Sequence, residues 1–313
     1  MKLSKVAIGG VTAPNNLFLA PLAGYTNAVF RGMCARLGAG LTFTEMVSAK
    51  GLCYNSQNTR ELLGLTPEYG AINACQLFGC EEEYMRRAAC SEDLAPFDII
   101  DINMGCPVPK IFKNGEGSAL LQNIPLAQKL VKAAKASGKA VTVKFRIGLD
   151  ENHLITRDFA VAMEDAGADM ITIHGRTRDK MYSGAVNFKE IAAAKAAVKI
   201  PVIANGGVFC KADADKLIEE TGADGVMVAR GATYNPFVFA EIAGVPVPDK
   251  KAEIVRQLND TFAAYDSRFA TVYMRKMIAF YIKGQPNAAA VRVALMKADT
   301  REKIEEILKD LSF

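Results

Sequence analysis

An α/β fold with a helical C-terminal appendage is what this sequence predicts, and three observations carry the prediction. Between residues 16 and about 242, short apolar, β-branched runs alternate with longer segments of helical period. After Ile242 the strand-like runs stop and only helical segments follow. The alternating stretch also has the size, roughly 250 residues, at which a parallel sheet closes on itself with a helix behind each strand. Together these features predict a (β/α)8 TIM barrel with a C-terminal all-α helical domain. The barrel would take 1–242, a linker 243–249 and the helices 250–313. An open doubly wound sheet is the alternative, but no Gly-x-Gly-x-x-Gly follows the first strand to support it.

In chain order, Val6 to Ile8, the pair Gly9-Gly10 and Val11 read as a hairpin able to close the barrel's N-terminal mouth. The strand candidates are Leu17–Ala20, Leu41–Glu45, Ala71–Leu77, Asp98–Asn103, Ala140–Arg146, Met170–His174, Pro201–Asn205 and Gly225–Ala229. Thr26 is placed to cap a helix over Asn27–Leu37 that ends at Gly38. Alanine-rich helices near 126–136 and 189–197 stop at Gly138 and before Pro201. The phrases Asp165-Ala-Gly-Ala-Asp169 and Glu220-Thr-Gly-Ala-Asp224 are alike: each closes a helix on glycine and enters a strand, as repeated βα units do. Ala243-Gly-Val-Pro-Val-Pro-Asp249 is the linker. Helices are expected near 250–267, 270–283, 287–297 and 301–311, a unit too small to be comfortable alone and so expected to pack on the barrel.

Composition narrows the classes. Of 313 residues half are apolar and 23% charged, and mean hydropathy is +0.09, the profile of a compact chain rather than a disordered or fibrous one. No run approaches the length of a membrane span and the first twenty residues lack a signal-peptide layout, so a cytoplasmic protein is expected. Net charge is only +4, too small to declare a nucleic-acid partner. It is unevenly spread: residues 249–313 hold 12 basic and 9 acidic side chains, a net +3, which leaves +1 for residues 1–248. Seven scattered cysteines, at 34, 53, 75, 80, 90, 106 and 210, suit a reducing compartment and no disulfide framework. Only Cys75 and Cys80 are close, and without a second Cys/His pair no metal is expected. Two histidines in the whole chain also disfavour Ser-His-Asp chemistry.

In such a barrel the reactive groups sit at the C-terminal ends of the strands. Those ends read Pro21-Leu22-Ala23-Gly24, Glu45, Gln76, Asn103 with Cys106-Pro107 just beyond, Lys144 with Arg146, His174 with Arg176, Asn205-Gly206-Gly207, and Ala229-Arg230-Gly231. Amides, cations, a histidine and a thiol would converge on one mouth. The last two strands end in glycine-rich turns, one with Arg230, which fits the phosphate site barrels build there; as isolated turns, the same glycines would be merely conformational. In 141–146, positions 142, 144 and 146 share one face, so Lys144 and Arg146 are both expected inside the barrel. Buried cations need an anionic partner. A flavin ring or its phosphate would serve, with Gln76 and Asn103 bonding flavin edge atoms; an ion pair of Lys144 with Glu45 or Asp101 is the plainer reading.

Cys34, Cys75, Cys90 and Cys210 read as small buried apolar residues, whereas Cys106 opens a flexible, polar loop at the reactive face. A thiol with a pKa near ~8.5 is mostly protonated at neutral pH and can donate a proton; whether Cys106 is acid or nucleophile stays open. His174, followed by Arg176 and Arg178, is placed to touch a phosphate or cofactor, while His153 reads as solvated.

These phrases resemble those of a known family, the tRNA-dihydrouridine synthases, flavin enzymes that reduce particular uridines of tRNA. The resemblance rests on Ala20-Pro-Leu-Ala-Gly-Tyr-Thr-Asn-Ala-Val-Phe-Arg31, Thr44-Glu-Met46, Gln76-Leu-Phe-Gly79, Asp101-Ile-Asn-Met-Gly-Cys-Pro107, Gly117-Ser-Ala-Leu-Leu121, Val143-Lys-Phe-Arg146, Ile173-His-Gly-Arg-Thr-Arg178, Ala204-Asn-Gly206 and Asp224-Gly-Val-Met-Val-Ala-Arg-Gly231. Asn-Met-Gly-Cys-Pro and His-Gly-Arg-Thr-Arg are the specific ones; the others are shared with other flavin barrels. The resemblance implies FMN held by Pro21, Leu22, Ala23, Gln76, Lys144, His174, Asn205, Gly206, Gly207, Ala229 and Arg230, to which the strand-end reading adds Asn103. It gives Cys106 the general-acid role: NADPH or NADH reduces the flavin, hydride passes to uracil C6, and Cys106 protonates C5. Arg146, Arg176 and Arg178 are the candidate contacts to RNA, and the helical tail would hold the tRNA body through phosphates. The expected partners are tRNA and NAD(P)H, with no membrane and no metal, for a monomer.

Three departures stand out. Gly207 replaces a frequent aspartate, Ala229 a frequent glycine, and in 274–281 Met277 and Phe280 replace the usual His and Trp, which would alter the RNA-facing surface and the target position rather than the chemistry. Two rivals are an FMN-dependent small-molecule pyrimidine oxidoreductase and a non-catalytic tRNA-binding protein.

Overall fold

The structure, a computed structural model, describes residues 1–66 and 72–311. A hairpin of β1 (Val6–Ile8) and β2 (Val11–Ala13) precedes the barrel. The barrel strands are β3 (Leu17–Leu19), β4 (Leu41–Phe43), β6 (Ile72–Phe78), β7 (Ile99–Met104), β8 (Ala140–Arg146), β9 (Met170–His174), β10 (Val202–Asn205) and β11 (Gly225–Val228). All pair in parallel; β11 pairs with β3 and β4 with β6, so the eight strands close a (β/α)8 barrel as expected. A two-residue β5 (Val47–Ser48) adds to β6 and has no counterpart in the sequence reading. The expected strands match to within one or two residues, except that Ala71 lies outside the described residues.

The helices behind the strands are α1 (Ala28–Arg36), α2 (Ala49–Cys53), α3 (Gln57–Arg60), α4 (Glu82–Ala89), α5 (Pro109–Lys113), α6 (Ile124–Lys135), α7 (Thr156–Asp165), α8 (Phe188–Ala197), α9 (Lys211–Thr221), α10 (Arg230–Tyr234) and α11 (Val238–Ala243). The tail holds α12 (Lys250–Ala264), α13 (Ser267–Tyr281), α14 (Ala288–Lys297) and α15 (Arg301–Lys309). The cap of α1 differs from expectation. Asn27, not Thr26, accepts the Phe30 N–H, because the Thr26 hydroxyl is already used by the backbone of Leu22. Among the described residues no helix is long and apolar enough to cross a membrane.

Strand alternation splits the apolar side chains into two sets. Outward residues such as Leu17, Ile100, Ile102, Val141, Val143, Phe145, Ile171 and Ile173 pack under the helices. Inward residues at the N-terminal ends, Phe18, Leu41, Ala74, Ile99, Ala140, Met170 and Ile203, join Val6, Ile8 and Ala13 of the hairpin in a separate plug. The hairpin therefore seals the bottom of the barrel, and the inward residues turn polar toward the top: Asp101 and Asn103, Thr142 and Lys144, Thr172 and His174. The tail packs on the barrel through a shared core: Ile254, Leu258, Met274 and Met277 belong to the same buried cluster as Phe30, Met33 and Cys34, with α12 against α1 and α13 against α10. At its edge the Tyr273 hydroxyl donates to Tyr25 O (2.5 Å) and Arg36 pairs with Glu253 (3.1 Å). Cys34 and Cys75 are buried as expected; Cys90 and Cys210 are exposed, since they sit at the helix-terminal turns of α4 and α9.

Candidate active site

Register builds the site. It sets Gln76 beside Asp101, Asn103 beside Lys144, Arg146 beside His174, and His174 beside Asn205, so residues far apart in sequence form one ring at the C-terminal rim. All of these but the deeper Asp101 line a cleft with about 1040 Å³ of empty space, open solvent included. Pro21, Leu22 and Ala23 continue along the rim into Gly206, Gly207, Ala229 and Arg230, because β11 pairs with both β3 and β10, and the strand-end residues Gln76, Asn103, Lys144, His174 and Asn205 form the floor. Cys106 and Arg146 lie together, Arg146 donating to Gly105 O (2.8 Å), and Arg176 also lines the cleft. Of the expected site residues only Arg178 lies outside: its guanidinium stacks on the Phe112 ring at 3.7 Å, and its backbone N–H donates to Gly148 O.

The cleft is rich in basic side chains. Lys144 Nζ donates to Asn205 Oδ1 (2.9 Å) and to neither Glu45 nor Asp101, while Asn205 Nδ2 is anchored on Met227 O (2.8 Å). Burial, helped by Arg146, pushes the Lys144 ammonium down to about 7. His174 is held well below its usual pKa by burial and by Arg146, Lys144, Arg176 and Arg230, so it is neutral. Arg176 Nη1 lies 3.4 Å from His174 Nε2; because a guanidinium only donates, Nε2 accepts and the ring proton is on Nδ1. Cations of this number that face a cleft call for an anion.

Cys106 is half-buried and firmly seated, in contrast to the flexible exposure expected for its loop. Its N–H donates to Asn103 Oδ1 (2.9 Å), and its carbonyl accepts from Ser118 N (3.1 Å) and Oγ (2.8 Å). Gly117, with φ +60°, allows this closeness: a Cβ there would come within 3.0 Å of Cys106 Cβ and O. Burial pushes the thiol pKa up, against the pull of the Val108 N–H and Arg146, so Cys106 is protonated at neutral pH.

The residues fit a flavin phosphate. Gly206 (φ +127°) and Gly207 (φ +74°) turn the backbone as only glycine does freely, and at Gly231 any Cβ would strike Val208 O. Lys144 keeps donors to spare, as do the outer amide hydrogens of Gln76 and Asn103. Sequence reasoning missed Met46, Val208, Phe209 and above all Tyr182. Arg230 Nη2 donates to Tyr182 O (3.1 Å), and both Arg230 and Arg146 lie over its ring, at 4.8 and 5.8 Å. An aromatic at the tip of the loop after the His-Gly-Arg phrase was the available signal.

The sequence model described as Dihydrouridine synthase (Dus) matches residues 18–312. This chain belongs to the dihydrouridine synthase family. The probable tRNA-dihydrouridine synthase 1 of Synechocystis is 36% identical over 312 residues, covering 96% of this chain and 87% of the relative. tRNA-dihydrouridine synthase B of Pseudomonas aeruginosa is 35% identical over 301 residues, covering 93% and 90%. The old yellow enzyme homologue from Zymomonas mobilis shares the fold at a TM-score of 0.54 and 13% identity, covering 74% of this chain and 89% of that one. In this dihydrouridine synthase the departures at 277 and 280 are not equivalent. Met277 is fully buried, so that change alters packing rather than the RNA-facing surface. Phe280 is half-buried between Tyr25 (5.7 Å) and Tyr234 (5.3 Å), where α13 meets the barrel rim.

Proposed function

We propose that this dihydrouridine synthase reduces the C5–C6 double bond of particular uridines in tRNA, with FMN as its flavin and NADPH or NADH as reductant. The observation that carries the reading is the convergence of one protonated thiol, four buried or half-buried basic side chains and three amides on a single cleft at the barrel's C-terminal rim. Bound FMN, once reduced, supplies the hydride that adds at uracil C6. The turn at Gly206-Gly207 with Arg230 would hold its phosphate, Lys144 the electron-rich part of its ring, and Gln76 and Asn103 its edge. His174 stays neutral and donates from Nδ1 without adding charge.

Cys106 holds the proton that C5 requires. Burial keeps that proton on sulfur at neutral pH, and the bonds on both sides of its peptide fix where the sulfur stands. A uridine has to leave its stack to enter a cleft of this depth, which suits an RNA substrate whose target lies in a loop. Arg146 and Arg176 face the cleft for RNA contact; Arg178 lies outside it. The tail, with its net +3, would track phosphates of the tRNA body.

The test is the purified protein itself. It is expected to be yellow after FMN addition and, given NADPH, to form dihydrouridine in unmodified tRNA but not from free uridine. Equal activity on free uridine would replace this reading with the small-molecule oxidoreductase, and a colourless protein with no flavin uptake would replace it with the RNA-binding one.

A further inference from the structure

Asp101 lies in the middle of β7, one layer below the cleft and 1% exposed. Its oxygens accept from Thr142 Oγ1 (2.5 Å) and Gln76 Nε2 (2.6 Å). Gln76 Oε1 accepts from Asn103 Nδ2 (2.8 Å), and Asn103 Oδ1 accepts from the N–H groups of Gly105 (3.2 Å) and Cys106 (2.9 Å). The path runs from a buried carboxyl to the backbone of the thiol through two amides.

An amide side chain has a donor end and an acceptor end of nearly equal size, so each amide in such a path could be turned over unless its neighbours forbid it. From the Cys106 end, two N–H groups require the oxygen of Asn103. That requirement aims Asn103 Nδ2 at Gln76, which must answer with Oε1 and so presents Nε2 to β7. The group waiting there must accept, and an ionised carboxylate can do nothing else. Lys144 acts on Asp101 only through its charge, since its ammonium bonds Asn205 and the hydrogen bonds of the carboxyl go to Thr142 and Gln76. The Asp101 carboxyl is held there although burial pushes it up to about 7.

We propose that Asp101 is a positioning residue: it fixes the direction of the Gln76–Asn103 hydrogen-bond path and thereby holds the Cys106 turn in place. The residue touches no reacting atom and acts only through the two amides. Its catalytic consequence rests on Cys106 being the proton donor; its structural consequence does not.

Two substitutions separate this role from that of a counter-ion. Asp101→Asn keeps an acceptor toward Gln76 and can donate to the Thr142 hydroxyl, which then accepts; Asp101→Leu removes the acceptor. The readouts are the rate of Cys106 alkylation by iodoacetamide, followed by peptide mass spectrometry on flavin-loaded protein without RNA, and turnover on tRNA. Asp101→Asn is expected to match the wild type in both. Asp101→Leu is expected to keep its flavin, alkylate about tenfold faster and lose about tenfold to 100-fold in turnover, the scale of a misplaced reacting group. Should the leucine variant fail to fold, Thr142→Val loosens the same carboxyl and is expected to shift alkylation in the same direction. Wild-type alkylation in the leucine or valine variant, or an asparagine variant as impaired as leucine, overturns the proposal. If the wild type forms no dihydrouridine, the functional reading fails while the alkylation comparison still decides the role of Asp101.

Discussion

A lysine in a barrel wall must find negative charge or give up its proton. Lys144, pushed down to about 7 by burial, is balanced between the two. An anionic ligand selects the protonated form, so flavin affinity is expected to be highest below pH 7 and to fall as pH rises through 7. Lys144→Met is expected to flatten that profile and weaken binding by about 2 kcal/mol, the scale of a hydrogen bond to a charged group. Titration of FMN fluorescence across pH checks this; the difference between the two profiles isolates the lysine from the ligand's own titration, and parallel profiles would contradict it. Period-two reading was enough to turn Lys144 and Arg146 inward. It could not show what Arg146 binds, because those partners, the carbonyls of Gly105, Thr177 and Met181, come from loops whose course is not locally encoded. In the sequence Asp101 stood out only as a candidate partner of Lys144; Gln76 comes to it through the β6–β7 register.

At the scale of the element, the strands were legible because a parallel sheet covered on both faces leaves near-continuous apolar runs. Helix starts were less so. Thr26 and Asn27 are both good caps by composition, and the choice was made by Leu22, whose N–H and carbonyl engage the Thr26 hydroxyl. Asn27→Ala is therefore expected to cost about 1 kcal/mol, measurable by urea unfolding; an unchanged midpoint would contradict the assignment. The same short segment matters to the cleft. Pro21, Leu22 and Ala23 line it, while Gly24 and Tyr25 are held by Glu45, Lys276 and Tyr273, so helix α13 of the tail braces a wall of the site. Two-residue β5 left no period to read, and the loop carrying Tyr182 had none either.

For the whole molecule, the plug at the bottom and the charged rim at the top give the barrel interior one reactive end. Net charge of +4 conceals this arrangement. Near-neutral overall, the barrel gathers Lys144, Arg146, Arg176 and Arg230 at its mouth, and the remaining +3 belongs to residues 249–313. The change from alternating strands to helices alone was legible from the loss of strand-like runs after Ile242, and so was the packing of those helices on the barrel; which side chains make the shared core was not, because Met277 and Ile254 have the period of any amphipathic helix. The central claim is that Cys106 in this cleft completes the reduction of tRNA uridine. Its most direct test is nucleoside mass spectrometry of tRNA from a strain lacking this gene and any paralogue, carrying either the wild-type protein or Cys106→Ala. Dihydrouridine is predicted to return with the wild type and not with the variant, although the variant keeps its flavin; dihydrouridine intact in the deletion strain, or restored by Cys106→Ala, would contradict the account.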